Sequence, residues 1–372
     1  MLPSRLRFEL FDRLSIKTMR YVQSVPRNSA SGLVRTIYDM IAEDFFLNGS
    51  LTSRSKVPKL LAAIWTVGRE SILVDDQVQR TQKEAMTAVL SQINHCPYCE
   101  DMLVSLVHAG KAHAAAEDIL ARNQLESVDD TLRPRLEWVR SIATFGDKEI
   151  PKTPFTDAQL PEVISSLMAM SDINRFSHVV MAESPVPAPF GLRFVKAALL
   201  RMFGIELRVT KAKPLVPSNA LRLLPPAPLP SDMAWAQRNP RIAQAVSRWA
   251  SATEREAQSV VSPDVQRVVR RSLKNWRGEL MPMSRSWVET EISGLEGGDR
   301  AIARLALVLA KAPYQVDAGL VQTALRENAD QVRFIRILAW CSYSAARRFG
   351  AYIAEVAGAR LDSVKMPRNG GA

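Results

Sequence analysis

Apolar residues recur three and four positions apart along most of this 372-residue chain, the period of a helix that buries one stripe and wets the rest. Leu33, Ile37, Met40, Ile41 and Phe45 predict a helix over 30–46, and Pro58 opens another with Leu60, Leu61, Ile64, Trp65, Ile72 and Leu73 on its buried side. Met86, Val89, Leu90 and Ile93 predict a helix over 82–94, and Leu136, Val139, Ile142 and Ala143 one over 132–145. Thr156 or Asp157 is placed to cap a further helix that runs through Leu160, Val163, Ile164, Leu167 and Met168 to about 180. The expected fold class is all-α.

Between 184 and 230 the pattern breaks. Pro185, Pro187, Pro189, Pro214, Pro217, Pro225, Pro226, Pro228 and Pro230 interrupt any long element, so this stretch reads as a linker between a first domain, 1–183, and a second, 231–372. Inside it, 190–205 forms a short basic amphipathic segment with Arg193, Lys196 and Arg201, expected to dock on a domain or a neighbouring subunit. The second half reads as a degenerate repeat of the first. Asp157-Ala158-Gln159-Leu160 through Arg175-Phe176 aligns at a constant offset with Asp330-Gln331-Val332-Arg333 through Arg348-Phe349. Met281-Pro282-Met283-Ser284 falls where the first half has Cys96-Pro97-Tyr98-Cys99, with Ser284 as the expected helix N-cap and Trp287 following. Both cysteines are lost there, so the second half is expected to keep the fold without the chemistry, as a pseudo-subunit. Cys341 lies in the apolar run 337–343 and is expected in the core; 365–372 is expected to be disordered.

Composition narrows the picture. Hydrophobic residues make up 47% of the chain, ample for a core. The net charge of +11 is spread among acids, with no basic-aromatic module, so solvated helix surfaces are expected and nucleic acid is not. Charges interrupt 1–25, which argues against a signal peptide, and no stretch approaches 18 apolar residues, so no membrane span is expected. Three cysteines suit a reducing cytoplasm better than a disulfide-stapled secreted chain. No glycine-rich phosphate loop or metal-ligand cluster is visible, so no cofactor is expected.

Two of those cysteines carry the candidate chemistry. The helix over 82–94 ends just before Cys96, which falls at the N-cap of a second helix, with Pro97 at its first position and Gly110 at its stop. Cys99, in the first turn, would sit among unpaired N–H groups at the positive end of the helix dipole, which favours a thiolate. The spacing also allows a disulfide with modest adjustment. Zinc would need four ligands, and no second cysteine pair exists. Cys-Pro-Tyr-Cys is also the glutaredoxin active-site sequence, but that fold sets it after a β-strand, whereas a helix precedes Cys96 here.

Glu84, twelve positions before Cys96, followed by Cys96-x-x-Cys99, resembles the signature of the alkylhydroperoxidase D-like, or carboxymuconolactone decarboxylase-like, superfamily. A lead of Arg20-Tyr21-Val22, Pro26, Gly32-Leu33-Val34, Tyr38 and Asp44-Phe45 is similar to that of its long two-domain members, and Ile173-Asn174-Arg175-Phe176 with His178 resembles the closing core helix. The resemblance implies two all-helical domains, the second degenerate, in a homo-oligomer. It implies that Glu84 is the base, that Cys99 attacks a hydroperoxide, and that Cys96 resolves the sulfenic acid into a disulfide reopened by an external thiol reductant. The family pattern continues Cys-x3-His, and Leu103 stands at that histidine's position. His95 is the nearest auxiliary; His108 is expected to point away, His113 lies past the helix stop, and His178 is expected to pack or cap. Thiol–disulfide exchange needs no imidazole. The leading expectation is a peroxiredoxin-type antioxidant oxidoreductase. Its alternatives are a redox-sensitive scaffold that has lost catalysis, and a cofactor-free decarboxylase or lactone-processing enzyme.

Overall fold

Proline and short polar side chains start the helices of this chain. The computed structural model describes residues 19–122, 124–143, 150–181, 184, 193–327 and 330–358. Its first half holds α1 (Gly32–Asp44), α2 (Pro58–Gly68, prolonged by a π turn, Arg69–Leu73), α3 (Arg80–Ile93), α4 (Pro97–Ala109), α5 (His113–Ala121), α6 (Arg133–Ala143) and α7 (Leu160–Val180). The connecting stretch contributes α8 (Arg193–Leu207). The second half adds α9 (Pro240–Ala257), α10 (Pro263–Leu273), α11 (Ser286–Glu291), α12 (Gly297–Lys311), α13 (Ala318–Glu327) and α14 (Gln331–Val356). Among the described residues the only extended pairing is one isolated bridge, Met19 with Met181, so the fold is all-α.

Pro58, Pro97, Pro240 and Pro263 each occupy a first-turn position, where a missing N–H costs nothing. Asn239, Ser262 and Asp330 cap α9, α10 and α14 by accepting from free N–H groups, Asp330 from both Val332 and Arg333.

Two expected caps are corrected. Helix α7 starts at Leu160, because the backbone over 157–159 forms turns and Gln159 takes the cap position; the Thr156 carbonyl, not a side chain, accepts from Gln159 and Leu160. Ser284 accepts from the Ser286 N–H at 3.2 Å, closing a local turn, and Arg285 holds the cap of the short α11. The terminal stretch 365–372 and Pro185, Pro187 and Pro189 lie outside the described residues.

Helices from both sides of the proline-rich stretch share one hydrophobic core. Helix α14 packs along α7, and α9 along α2. Gly350 permits the first contact, since a methyl group there would stand 2.6 Å from Met168 Sδ. Arg175 of α7 donates to the Leu309 and Ala310 carbonyls at 3.2 and 3.1 Å, filling acceptors that the end of α12 leaves open. Arg241 of α9 reaches Asp76 at 2.8 Å and Glu162 at 3.2 Å, and Glu162 also binds the buried Lys83. Cys341 is fully buried in this core.

Candidate active site

Helices α3 and α4 meet in a tight turn that brings the dithiol to the core. His95 takes a left-handed conformation, φ +53°, and the Cys96 N–H donates to the Ser91 carbonyl at 3.0 Å. Cys96 thereby becomes the N-cap of α4, with Pro97 behind it and Gly110 at the far end, as its sequence predicts. Both cysteines are free thiols, 1% and 4% exposed, and Cys96 Sγ donates to Cys99 Sγ at 2.6 Å. A disulfide requires only a further small approach.

The two sulfurs differ in acidity. Burial raises Cys96, and its hydrogen bond to Cys99 holds the proton there, so it lies well above the usual thiol range. Burial also pushes Cys99 upward, but its hydrogen bond from Cys96, the polar side chains of Asn174 and Ser177 nearby and the charge of Arg54 outweigh it, and the net shift is downward. Two further hydrogen bonds fix the Asn174 amide beside the sulfur, for its Oδ1 accepts from Asn94 at 3.0 Å and its Nδ2 donates to Ser91 Oγ at 2.9 Å. Arg54 is buried, bonded to Asp172 at 3.3 Å and to the Ser50 carbonyl at 3.0 Å. Burial lowers it to about 10, so it stays cationic at neutral pH.

Cys99 opens onto an apolar cavity of about 80 Å³, walled by Phe46, Trp65, Met102, Leu103 and Met170 among others, with Glu84 on its lining. Glu84 is fully buried. Its Oε1 accepts from Arg80 at 2.9 Å, and its Oε2 accepts from Lys211, which follows α8. Glu84, Cys99 and Leu103 therefore line one cavity, Leu103 presenting a hydrocarbon surface to it, and Cys96 reaches the site through its contact with Cys99.

The histidines lie elsewhere. The ring of His95 packs against Tyr314, centroids 5.9 Å apart, and its carbonyl accepts from His178 Nδ1 at 2.8 Å. His108 and His113 face each other, Nδ1 to Nδ1 at 2.9 Å.

Sequence reasoning missed Arg54, Ser177, Arg80 and Lys211 as members of this site. Arg80 left a readable signal, the i to i+4 spacing to Glu84. Asn174 and Ser177 lie within or beside the Ile173–Phe176 stretch near the end of α7, whereas Arg54 and Lys211 carry no local signature, being delivered by a turn before α2 and by the connecting stretch.

No family model matches the chain. Over 344 residues, 92% of this chain and 97% of its counterpart, it is 29% identical to a protein of Mycobacterium tuberculosis (strain ATCC 25618 / H37Rv) named alkyl hydroperoxide reductase Rv2159c.

Proposed function

We propose that this chain, alkylhydroperoxidase D-like by that likeness, is a thiol-dependent reductase of small organic hydroperoxides. A peroxide-related function is supported at the family level; the reaction at the dithiol is our reading. The single observation that carries it is the contact of two free thiols, Cys96 and Cys99, with Cys99 on the wall of an apolar cavity.

In this reading the Cys99 thiolate attacks the terminal oxygen of a hydroperoxide. The S–O bond forms as the O–O bond breaks, leaving a sulfenic acid on Cys99 and an alkoxide that takes a proton to become alcohol. Cys96 then attacks the Cys99 sulfur, and the disulfide forms as the hydroxyl leaves with the Cys96 proton as water. A dithiol reductant reopens the disulfide by exchange. The high proton affinity of Cys96 keeps it from competing as nucleophile in the first step. Apolar walls favour an alkyl substituent on the peroxide. The second half serves as a degenerate partner domain that completes the core, and the homo-oligomer and intracellular reductant belong to the same proposal.

Burial of both sulfurs favours a second reading, a redox-sensitive structural element without turnover. One experiment separates the two: intact mass after reduction, exposure to a small excess of organic hydroperoxide, and alkylation over time. The peroxidase reading expects rapid loss of two alkylatable thiols at Cys96 and Cys99, and no peroxide consumption by C99S. Thiols that stay alkylatable, or turnover that survives in C99S, would sink it.

A further inference from the structure

The site as the family motif describes it lacks an imidazole, because Leu103 fills that position, yet an unexpected base reaches Glu84 from outside the motif. Helix α8 lies tight against α4. Gly204 allows this, since a methyl group there would meet the Ser105 carbonyl oxygen at 2.6 Å and His108 Cβ at 2.7 Å. The turn after α8, Arg208–Lys211, is then tied to α3, with Arg80 donating to the Thr210 carbonyl at 2.9 Å. Lys211 Nζ bonds Glu84 Oε2 and, at 3.0 Å, Thr81 Oγ1.

The pocket for the ammonium is built into α4 as well. Gly110 ends that helix with φ −78°, a conformation open to any residue, so its backbone gives no reason for glycine. A methyl group there would stand 2.9 Å from Lys211 Nζ and closer still to Thr81 Oγ1. The missing side chain is the space the Thr81–Lys211 contact occupies.

We propose that Lys211, acting through Glu84, is the positioning residue that carries the proton of the peroxidase cycle, in the role that an imidazole at position 103 would fill. The inference rests on the peroxidase reading above. When the reduced dithiol forms its thiolate, the Cys99 proton crosses the cavity that Cys99 and Glu84 both line and passes by way of Glu84 to neutral Lys211. After the O–O bond breaks, the ammonium returns that proton through Glu84 to the leaving alkoxide, which departs as alcohol. Lys211 is neutral again when the disulfide forms, and reduction of the disulfide supplies the next thiol proton, so the count closes over each turnover. Burial favours the neutral amine, while the Glu84 carboxylate and, less closely, Asp75 favour the ammonium and Arg80 disfavours it. These opposed influences leave Lys211 less basic than a free lysine, which suits a group that must both accept and release a proton.

The test compares wild type, K211R and K211A in single-turnover reduction of an organic hydroperoxide at neutral pH, with melting midpoints of the reduced proteins measured in parallel. Arginine keeps the charge and the bond to Glu84 but does not release its proton. We expect K211R to react roughly a hundredfold more slowly than wild type while melting near it, and K211A to be equally slow and restored by added methylamine. A purely structural salt bridge would instead let K211R match wild type. That result, or a K211A protein that turns over at full rate, would overturn the relay and leave the dithiol mechanism standing. A wild-type protein inert to hydroperoxide would overturn both.

Discussion

The Arg54 guanidinium lies over the ring of Phe176, 3.6 Å from its centroid, although the two residues stand 122 positions apart in the chain. The ring face and Asp172 hold a buried cation where it favours the Cys99 thiolate. Replacing Arg54 by methionine keeps much of the bulk and removes the charge. The Cys99 acidity then shifts upward, and alkylation of reduced protein at neutral pH should slow by roughly tenfold, read as the pH profile of iodoacetamide modification at that residue. The sign follows from the linkage: a depressed thiol is ionised at lower pH than a free cysteine, so losing the cation moves the rising limb to higher pH. An unmoved profile would remove Arg54 from the site.

Removal of Cys96 should stop the cycle half-way. In C96S the Cys99 sulfenic acid has no partner thiol within reach, since the remaining cysteine, Cys341, is buried in the core and held protonated by that burial. One equivalent of hydroperoxide should be consumed, the intact mass should rise by one oxygen atom, and a sulfenic-acid reagent should trap the product. Continued turnover would show that Cys96 is not the resolving thiol.

Close packing of the two halves can be tested at Gly350. A valine there drives its side chain into Met168, where even a single methyl group would stand 2.6 Å from the sulfur. Overpacking of this kind costs about 1–3 kcal/mol. G350V should therefore lower the denaturation midpoint, and proteolysis should release fragments of both halves together, because α7 and α14 lose each other's cover.

Acid should loosen α8 before the rest of the core. Burial, with the neighbouring charges of His113 and Arg201, pushes His108 down to about 4, whereas the unfolded chain titrates near 6.5. A depressed histidine favours the folded state fully above the unfolded value, and this contribution is lost as pH falls from about 6.5 towards 4. The melting midpoint should drop across that window, and the drop should be smaller in H108Q. Equal slopes in the two proteins would assign the acid sensitivity to other groups.

The helical periods of Met86, Val89 and Leu90, the proline at position 97 and the glycine at 110 specified α3 and α4 and placed Cys96 at a helix start, because these are local preferences of backbone and side chain. The twelve-residue interval from Glu84 to Cys96 was likewise a local fact, since two helices joined by one tight turn fold α4 back along α3 and place Glu84 and Cys99 on one cavity. The same local reasoning erred at Thr156 and Ser284, where capping side chains were expected and turns formed instead: a cap is decided by where the backbone first becomes helical, which composition fixes only to within a few residues. What tertiary structure alone decided is the electrostatics of the site. Arg54, Ser177 and Lys211 lie 42, 81 and 115 positions from Cys96, and packing of α7 and α8 sets their distance to the sulfur and to Glu84. Charge–charge and hydrogen-bond terms depend on separations of a few ångströms and on the exclusion of water. Neither quantity is written in the spacing of residues along the chain.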